Sequence, residues 1–255
     1  MIHVALPAYN EDQNIGPLLD ELCHTFADTL PGRAHSILVV DDGSSDRTAD
    51  AVRDFIADLD RDRFPHASIE LLQHEVNKGL AEAIRTGLTT CADRADPRDI
   101  ILTMDADNSH LPGLVPSMVR KIYEGHDVCI ASRYQRGARV IGLTADRKVL
   151  SLGASFLFQV LFPIPGVRDY TCGFRAYRAA MLQEVFAANP GFFSETGFTV
   201  MVDILLKLRR RDPPVLMTEV PLLLRYDFKK GASKMDVAET VQGTFKLIAR
   251  RLLGR

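Results

Sequence analysis

The chain has 255 residues, 46% hydrophobic and 25% charged, with 31 basic side chains set against 33 acidic ones. At ~150 residues per domain that is one large domain or two small ones, with core enough to fold without disulfides or a structural metal. The near-cancelling charge argues against a nucleic-acid partner, and Cys23, Cys91, Cys129 and Cys172 form no CxxC pair, so neither a zinc site nor a disulfide framework is expected.

The opening residues MIHVALPAYNE lack a basic region followed by a long apolar one, so no signal peptide is expected and the chain reads as cytoplasmic. The first half then alternates short apolar runs with helical patterns. Ile2–Leu6, Ile37–Val40, Ile69–Leu72, Ile100–Met104 and Val128–Ala131 are β-branched and mostly unbroken, the form of strands buried on both faces. Between them, residues 14–30, 46–59, 80–91 and 114–124 read as amphipathic helices. Strand–helix alternation implies right-handed βαβ units, hence an α/β fold with a mostly parallel open sheet and helices on both faces.

After Arg133 the alternation weakens. Helical patterns are expected at 148–162, 176–187 and 195–211, followed by an apolar segment at 215–224. With no linker, repeat or low-complexity tract, the simplest division is one domain over 1–235 and a terminal helix over 236–255. The stretch 149–167 carries no charge, but Gly153, Pro163, Pro165 and Gly166 interrupt it. Roughly 14 helix-compatible residues span about 21 Å, short of a ~30 Å hydrocarbon core. It does not cross a bilayer, although it has the character to lie on one. The terminal helix carries Val237, Val241, Phe245, Ile248 and Leu252 on one face, flanked by Lys246, Arg250, Arg251 and Arg255. Docking on the core and lying on anionic lipid are both open to it.

The carboxyl ends of the strands carry the chemistry, and in open α/β sheets that edge is where ligands bind. Asp105-Ala106-Asp107 follows the fourth strand, two carboxylates around a small residue, a hard-oxygen set suited to Mg²⁺ or Mn²⁺. A helix cap or a loop pair of acids would look the same. Asp41-Asp42-Gly43-Ser44-Ser45-Asp46 follows the second strand. Capping the next helix explains one of its acids, not three, so base or ribose recognition is expected of the others. Pro7-Ala8-Tyr9-Asn10-Glu11 adds an aromatic face and an acid to the same edge. Lys78 adds a cation suited to phosphate, and Arg133 another at the end of the fifth strand, while Arg147 heads the uncharged stretch.

The order PAYNE, DDGSSD, NKGLAEAIRTG, MDADNSH, ASRY, DYTCGFRAYR, EVP and GASKM resembles the family 2 glycosyltransferases of the GT-A fold, and most of all the dolichyl- or polyprenyl-phosphate mannosyltransferases. The resemblance implies that Pro7, Tyr9, Glu11, Val40 and Asp42 contact the nucleotide base and ribose. It implies that Asp105 and Ala106 contact the diphosphate part and that Asp107 holds the divalent metal. Arg133 and Arg147 would bind the acceptor phosphate with Ser151 nearby, and Lys234 would reach the donor phosphates. Two positions depart from the family. Ser109 stands where a glutamine metal ligand is usual, and Phe228 where an arginine is, with Lys229, Lys230 and Arg225 as neighbours. Lysine lacks the bidentate fork of arginine.

The expected reaction is inverting transfer of a sugar, mannose from GDP-mannose first, to a polyprenyl phosphate at the membrane surface, by a peripheral enzyme or one with a membrane-embedded partner. UDP-glucose or another donor is an alternative. A hydroxyl acceptor is another, and it would need a base, for which Glu195 and Asp169 are the candidates. A non-catalytic nucleotide-sugar-binding module is the alternative of another class.

Overall fold

The computed structural model describes residues 1–143, 145–197, 199–231 and 237–253, and their side chains except at 145–150, 237–240 and 252. Its first half follows the alternation: β1 (Ile2–Ala8), α1 (Ile15–Thr29), β2 (His35–Asp41), α2 (Thr48–Asp58), β3 (Ala67–Gln73), α3 (Leu80–Arg94), β4 (Ile100–Thr103), α4 (Val115–Tyr123) and β5 (Val128–Ser132). The second half holds β6 (Arg139–Ile141), α5 (Ala145–Leu161), β7 (Arg175–Arg178), α6 (Ala179–Ala188), α7 (Thr199–Leu208), β8 (Met217–Pro221), β9 (Leu223–Arg225) and α8 (Val237–Leu252).

Seven strands form one sheet in the order β3-β2-β1-β4-β7-β5-β8. β7 runs antiparallel to both of its neighbours, and the remaining pairings are parallel. The chain steps outward from β1 to β2 to β3, then crosses back to place β4 on the other side of β1. Right-handed crossovers therefore put α1 and α2 on one face and α3 on the other. The order reverses between β1 and β4, and such a switch point opens a crevice at the carboxyl ends of the two strands. β1 and β4 are buried along nearly their whole length, as their unbroken apolar sequences require, whereas edge strand β3 alternates buried and exposed residues.

The helix expected over 176–187 starts later. Arg175–Arg178 is a strand, because Ala176 and Tyr177 fill the slot between β4 and β5 with no exposed surface. Tertiary pairing overrides the local helix preference of Ala176 here. The pattern at 195–211 yields only α7, leaving 195–197 as loop, and the segment 215–224 becomes β8 and β9. β9 pairs with β6 in a small parallel ribbon beside the cleft. All four cysteines are buried and free.

Among the described residues no helix is long and apolar enough to cross a membrane. α5 buries Phe158 against Tyr170 but leaves Leu152, Phe156 and Val160, at i, i+4 and i+8, 56–65% exposed. α8 docks on α7. Its buried seam holds Leu247 and Ile248, with Gly243 against Thr199. Arg251 closes on Asp203. Of the face read from the sequence, Ile248 is in the seam while Phe245 is 61% exposed.

Gly43 sits in the left-handed region at φ 66°, and a Cβ there would lie 2.5 Å from the backbone carbon of Val76. The two loops at the carboxyl ends of β2 and β3 thus touch backbone to backbone. Gly43→Ala should cost about 1–3 kcal/mol from the strained φ alone, read as a lowered urea midpoint. Gly16→Ala, in α1 with open space around it, should instead be neutral or stabilising.

Candidate active site

Beyond the ends of β1 and β4 lies a cleft of about 640 Å³. Its floor is Asp105-Ala106-Asp107. Asp105 approaches Gly173 so closely that a Cβ there would meet Oδ1 at 2.7 Å, so the glycine of CGF in the turn before β7 makes room for the carboxylate. The Asp107 side chain is nearly buried. Its Oδ1 accepts the Ser109 hydroxyl at 2.6 Å and the Ser109 N–H at 3.1 Å, and its Oδ2 accepts Lys229 Nζ at 2.7 Å. Burial pushes the Asp107 carboxyl up, but the Lys229 charge, His110 and the two hydrogen-bond partners outweigh it and hold the group below the usual carboxylate range. Burial and the Asp107 charge push Asp105 the other way, upward, with His110 opposing.

These residues fit a divalent metal of the open kind. Among the described residues no three His, Cys, Asp or Glu side chains converge, so no closed protein cage exists. Two carboxylates and the Ser109 hydroxyl instead offer hard oxygens on one side, the arrangement in which Mg²⁺ or Mn²⁺ completes its shell with phosphate and water. His110 Nδ1, buried and without a hydrogen-bond partner, lies 3.8 Å from Asp105 Oδ2.

One wall of the cleft comes from the ends of β1 and β2. Pro7, Tyr9, Glu11, Asp42 and Lys78 all line it. The acids here are more committed than the sequence implied. Asp42 is buried and accepts the N–H groups of Lys78 at 3.0 Å and Gly79 at 2.8 Å, besides bonding His74 at 2.7 Å. Asp41 accepts from Ser44 and Gln73, and Asp46 from Thr48 and Asp12. All three therefore build the loops, and Asp42 faces a ligand while pinning the loop that carries Lys78. Glu11 accepts from Asn14 at 2.7 Å, and Asn14 also brackets Lys230, donating to its carbonyl and accepting from its N–H. That bracket anchors the segment bearing Lys229 to α1. Val40 is fully buried, packs towards Gly87 and does not line the cleft.

The cation near Phe228 is now assigned. Lys229 reaches Asp107, while Arg225 is paired with Asp227 and stacked 3.7 Å over the Phe228 ring. The sequence marked Lys229 only as a neighbour. Gly173, Asn14 and the α8 residues below carried no local signal at all.

Arg133 departs furthest from expectation. Its Nε and Nη2 donate to the two oxygens of Asp169 at 2.8 and 2.6 Å, its N–H to Asp169 at 3.0 Å, and Nη2 also to Thr171 at 2.6 Å. Asp169 has no exposed side-chain surface. Burial raises its carboxyl, but the Arg133 charge and hydrogen bonds prevail and hold it below the usual range. Asp169, a candidate base for a hydroxyl acceptor, is thus an ion-pair partner closed to solvent, and Arg133 lies outside the cleft lining. Ser151 is hydrogen-bonded to the Tyr134 hydroxyl at 2.8 Å, next to Arg133 in the chain. Arg147 falls within α5 with its side chain outside the described residues, and Lys234 lies outside them altogether.

The other wall is contributed by Glu195, Thr196, Gly197 and Thr199 and by Gln242, Gly243, Lys246 and Arg250 of α8. Glu195 is paired with Arg250 at 2.8 Å, and burial, with the Asp203 charge, raises its carboxyl.

Comparison with known proteins bears on the whole assembly. The model of glycosyl transferase family 2 matches residues 3–186. A dolichol-phosphate mannosyltransferase of Pyrococcus furiosus is 30% identical over 207 residues, 81% of this chain and 52% of that protein, so the chain spans about half of that relative's length. A polyprenol monophosphomannose synthase of Mycolicibacterium smegmatis is 29% identical over 252 residues, covering 99% and 87% of the two chains. An undecaprenyl-phosphate mannosyltransferase of Micrococcus luteus is 29% identical over 231 residues, covering 91% and 86%. Among solved structures, glucosyl-3-phosphoglycerate synthase from Mycobacterium tuberculosis, with Mn²⁺, UDP and phosphoglyceric acid, superposes with a TM-score of 0.64 at 21% identity, over 99% of this chain and 77% of that one.

The Arg133–Asp169 pair has a direct stability test. Breaking a buried pair by neutralising one partner costs about 3–5 kcal/mol, so Asp169→Asn should lose that much in urea unfolding. Because the folded Asp169 carboxyl is depressed, its contribution is complete above the unfolded value of about 3.9. The gap between wild type and variant should stay flat at neutral pH and close only as pH falls below about 4.

Proposed function

The chain belongs to glycosyl transferase family 2, and on that premise we propose that it transfers a sugar from a nucleotide sugar to a polyprenyl phosphate, with inversion and with mannose from GDP-mannose as the first donor to test. The observation that carries the reading is the placement of Asp105 and Asp107 at the switch point, in one cleft with Pro7, Tyr9, Glu11 and Lys78. The mostly parallel sheet agrees with the GT-A fold of the solved relatives. The names of the three curated relatives support a lipid phosphate as acceptor. So does the exposed Leu152, Phe156 and Val160 stripe of α5, apolar surface that a prenyl tail or a bilayer would cover. In this reading the enzyme works at a membrane surface, touching it through α5 or through a membrane-embedded partner, and α8 serves the cleft.

An acceptor phosphate is ionised near neutral pH and attacks the anomeric carbon without a base. A carbon–oxygen bond forms to the acceptor, the bond to the diphosphate oxygen breaks, and its electron pair leaves with the nucleoside diphosphate. A divalent metal, when bound, neutralises charge on that diphosphate. Asp107 and Asp105 are the residues that would hold it, with Ser109 alongside. Lys229, released from Asp107 by a few torsions, is placed to face the same leaving charge. Tyr9, Glu11 and Asp42 orient base and ribose.

One observation favours a second reading. Glu195 lines the cleft with a raised carboxyl pKa, as a base for a hydroxyl acceptor would.

Purified protein should be given GDP-mannose and UDP-glucose separately, each with Mn²⁺ or Mg²⁺ and a polyprenyl phosphate in detergent, and the lipid product followed by mass spectrometry. The expected outcome is a metal-dependent sugar–phosphate–lipid, lost at least about 100-fold in Asp107→Ala and unaffected by Glu195→Gln. Product only with soluble hydroxyl acceptors, abolished by Glu195→Gln, would sink the lipid-phosphate reading in favour of the second.

A further inference from the structure

Transfer to a phosphate requires a second anion site in the cleft besides that of the donor diphosphate, and this inference rests on the functional reading above. Charge-assisted donors bind phosphate strongly only when no carboxylate already neutralises them. Arg133 fails that condition, since Asp169 takes its fork and cancels its charge. Lys229 is matched by Asp107, and Arg250 by Glu195. Two lysines of the cleft lining remain for which the described residues supply no ion pair, Lys78 and Lys246. Lys78 belongs to the nucleotide wall, its backbone fixed by Asp42. Lys246 stands on the other wall. It is the middle of Gln242, Lys246 and Arg250, at i, i+4 and i+8 on α8, all three of which line the cleft.

The helix is held in place for this task. Arg250 and Arg251 pair with Glu195 and Asp203 beside and on α7, and Leu247 is buried beneath them. Gly243 lets the backbone approach Thr199, where a Cβ would stand 3.2 Å from the methyl group. A stripe fastened so, with one cation unmatched, is a preorganised anion wall facing away from the nucleotide side.

We infer that Lys246 of α8, with Gln242 beside it, binds the acceptor phosphate, and that Arg133 with Asp169 braces the loop after β5.

The test compares Lys246→Met and Lys246→Arg with wild type, using geranylgeranyl phosphate in detergent as the probe. Binding of the probe is measured with nucleoside diphosphate and Mn²⁺ present, nucleoside diphosphate affinity by calorimetry, the KM of probe and donor in the transfer assay, and folding by thermal melting. Lys246→Met should melt like wild type, since the side chain is exposed. It should weaken probe binding and raise the probe KM about tenfold, leave nucleoside diphosphate affinity unchanged, and be largely rescued by Lys246→Arg. Weakened nucleoside diphosphate binding with an unchanged probe KM would overturn the inference, as would a Lys246→Met enzyme equal to wild type in both. A wild type that neither binds nor glycosylates the probe overturns the functional reading beneath it, an outcome distinct from both.

Discussion

A carboxylate taken almost wholly out of water, Asp107, is tied to an ammonium group from the far end of the chain, Lys229, 122 residues away. Desolvating such a charge costs several kcal/mol unless it is compensated, so the position of Lys229 is required as soon as β4 delivers its acid to the floor. The requirement spreads outward. The segment carrying Lys229 is fixed by Asn14 through Lys230, and Asn14 by Glu11. The β1 loop, the β4 loop and the segment after β9 thus become one object. A ligand that brings its own cation to Asp107 frees Lys229 at the same moment, so the apo arrangement already stores the positive charge that the diphosphate will need.

The parts of the site legible in the sequence are those where one short segment does the whole work. Asp105-Ala106-Asp107 announces itself because a buried apolar strand runs straight into two acids, and the sheet edge then dictates where they point. The strands of the first half are legible for the same local reason. Asp41, Asp42 and Asp46 misled because the sequence does not show which backbone N–H groups will need an acceptor; the loops of β2 and β3 meet at Gly43, and their exposed amides take up the acids. Arg175–Arg178 read as helix because its strand identity resides in β4 and β5, which reach it only in the folded sheet. Val40 lies beside acids in the chain yet faces the core, a consequence of strand alternation.

The arginine that sequence reasoning valued most illustrates a general point about charge. A guanidinium at a ligand-binding edge is useful to an anion only in proportion to the charge left over once its protein partners are counted. Arg133 meets a carboxylate with no exposed surface, through both of its fork nitrogens and its own backbone N–H. Lys246, unremarkable in a basic terminal segment, is left unmatched by any described carboxylate in a cleft whose other cations are nearly all matched. Accounting for the acids changes which base matters.

β7 has one more consequence. It is the single strand joining the sheet's two parts: β3, β2, β1 and β4 pair among themselves through parallel crossovers, and β5 and β8 reach them across β7 alone. The first four strands come from residues 2–103, whereas the bridge arrives only at 175–178. On a growing chain the amino-terminal unit has its crossovers complete long before the bridge is made, and β5 must wait, its edge open, for about 43 residues of later sequence, as befits a protein assembling in contiguous cooperative units. In native-state hydrogen exchange, β1 and β2 would form one protection class, and β5 and β8 a second that opens when β7 lets go.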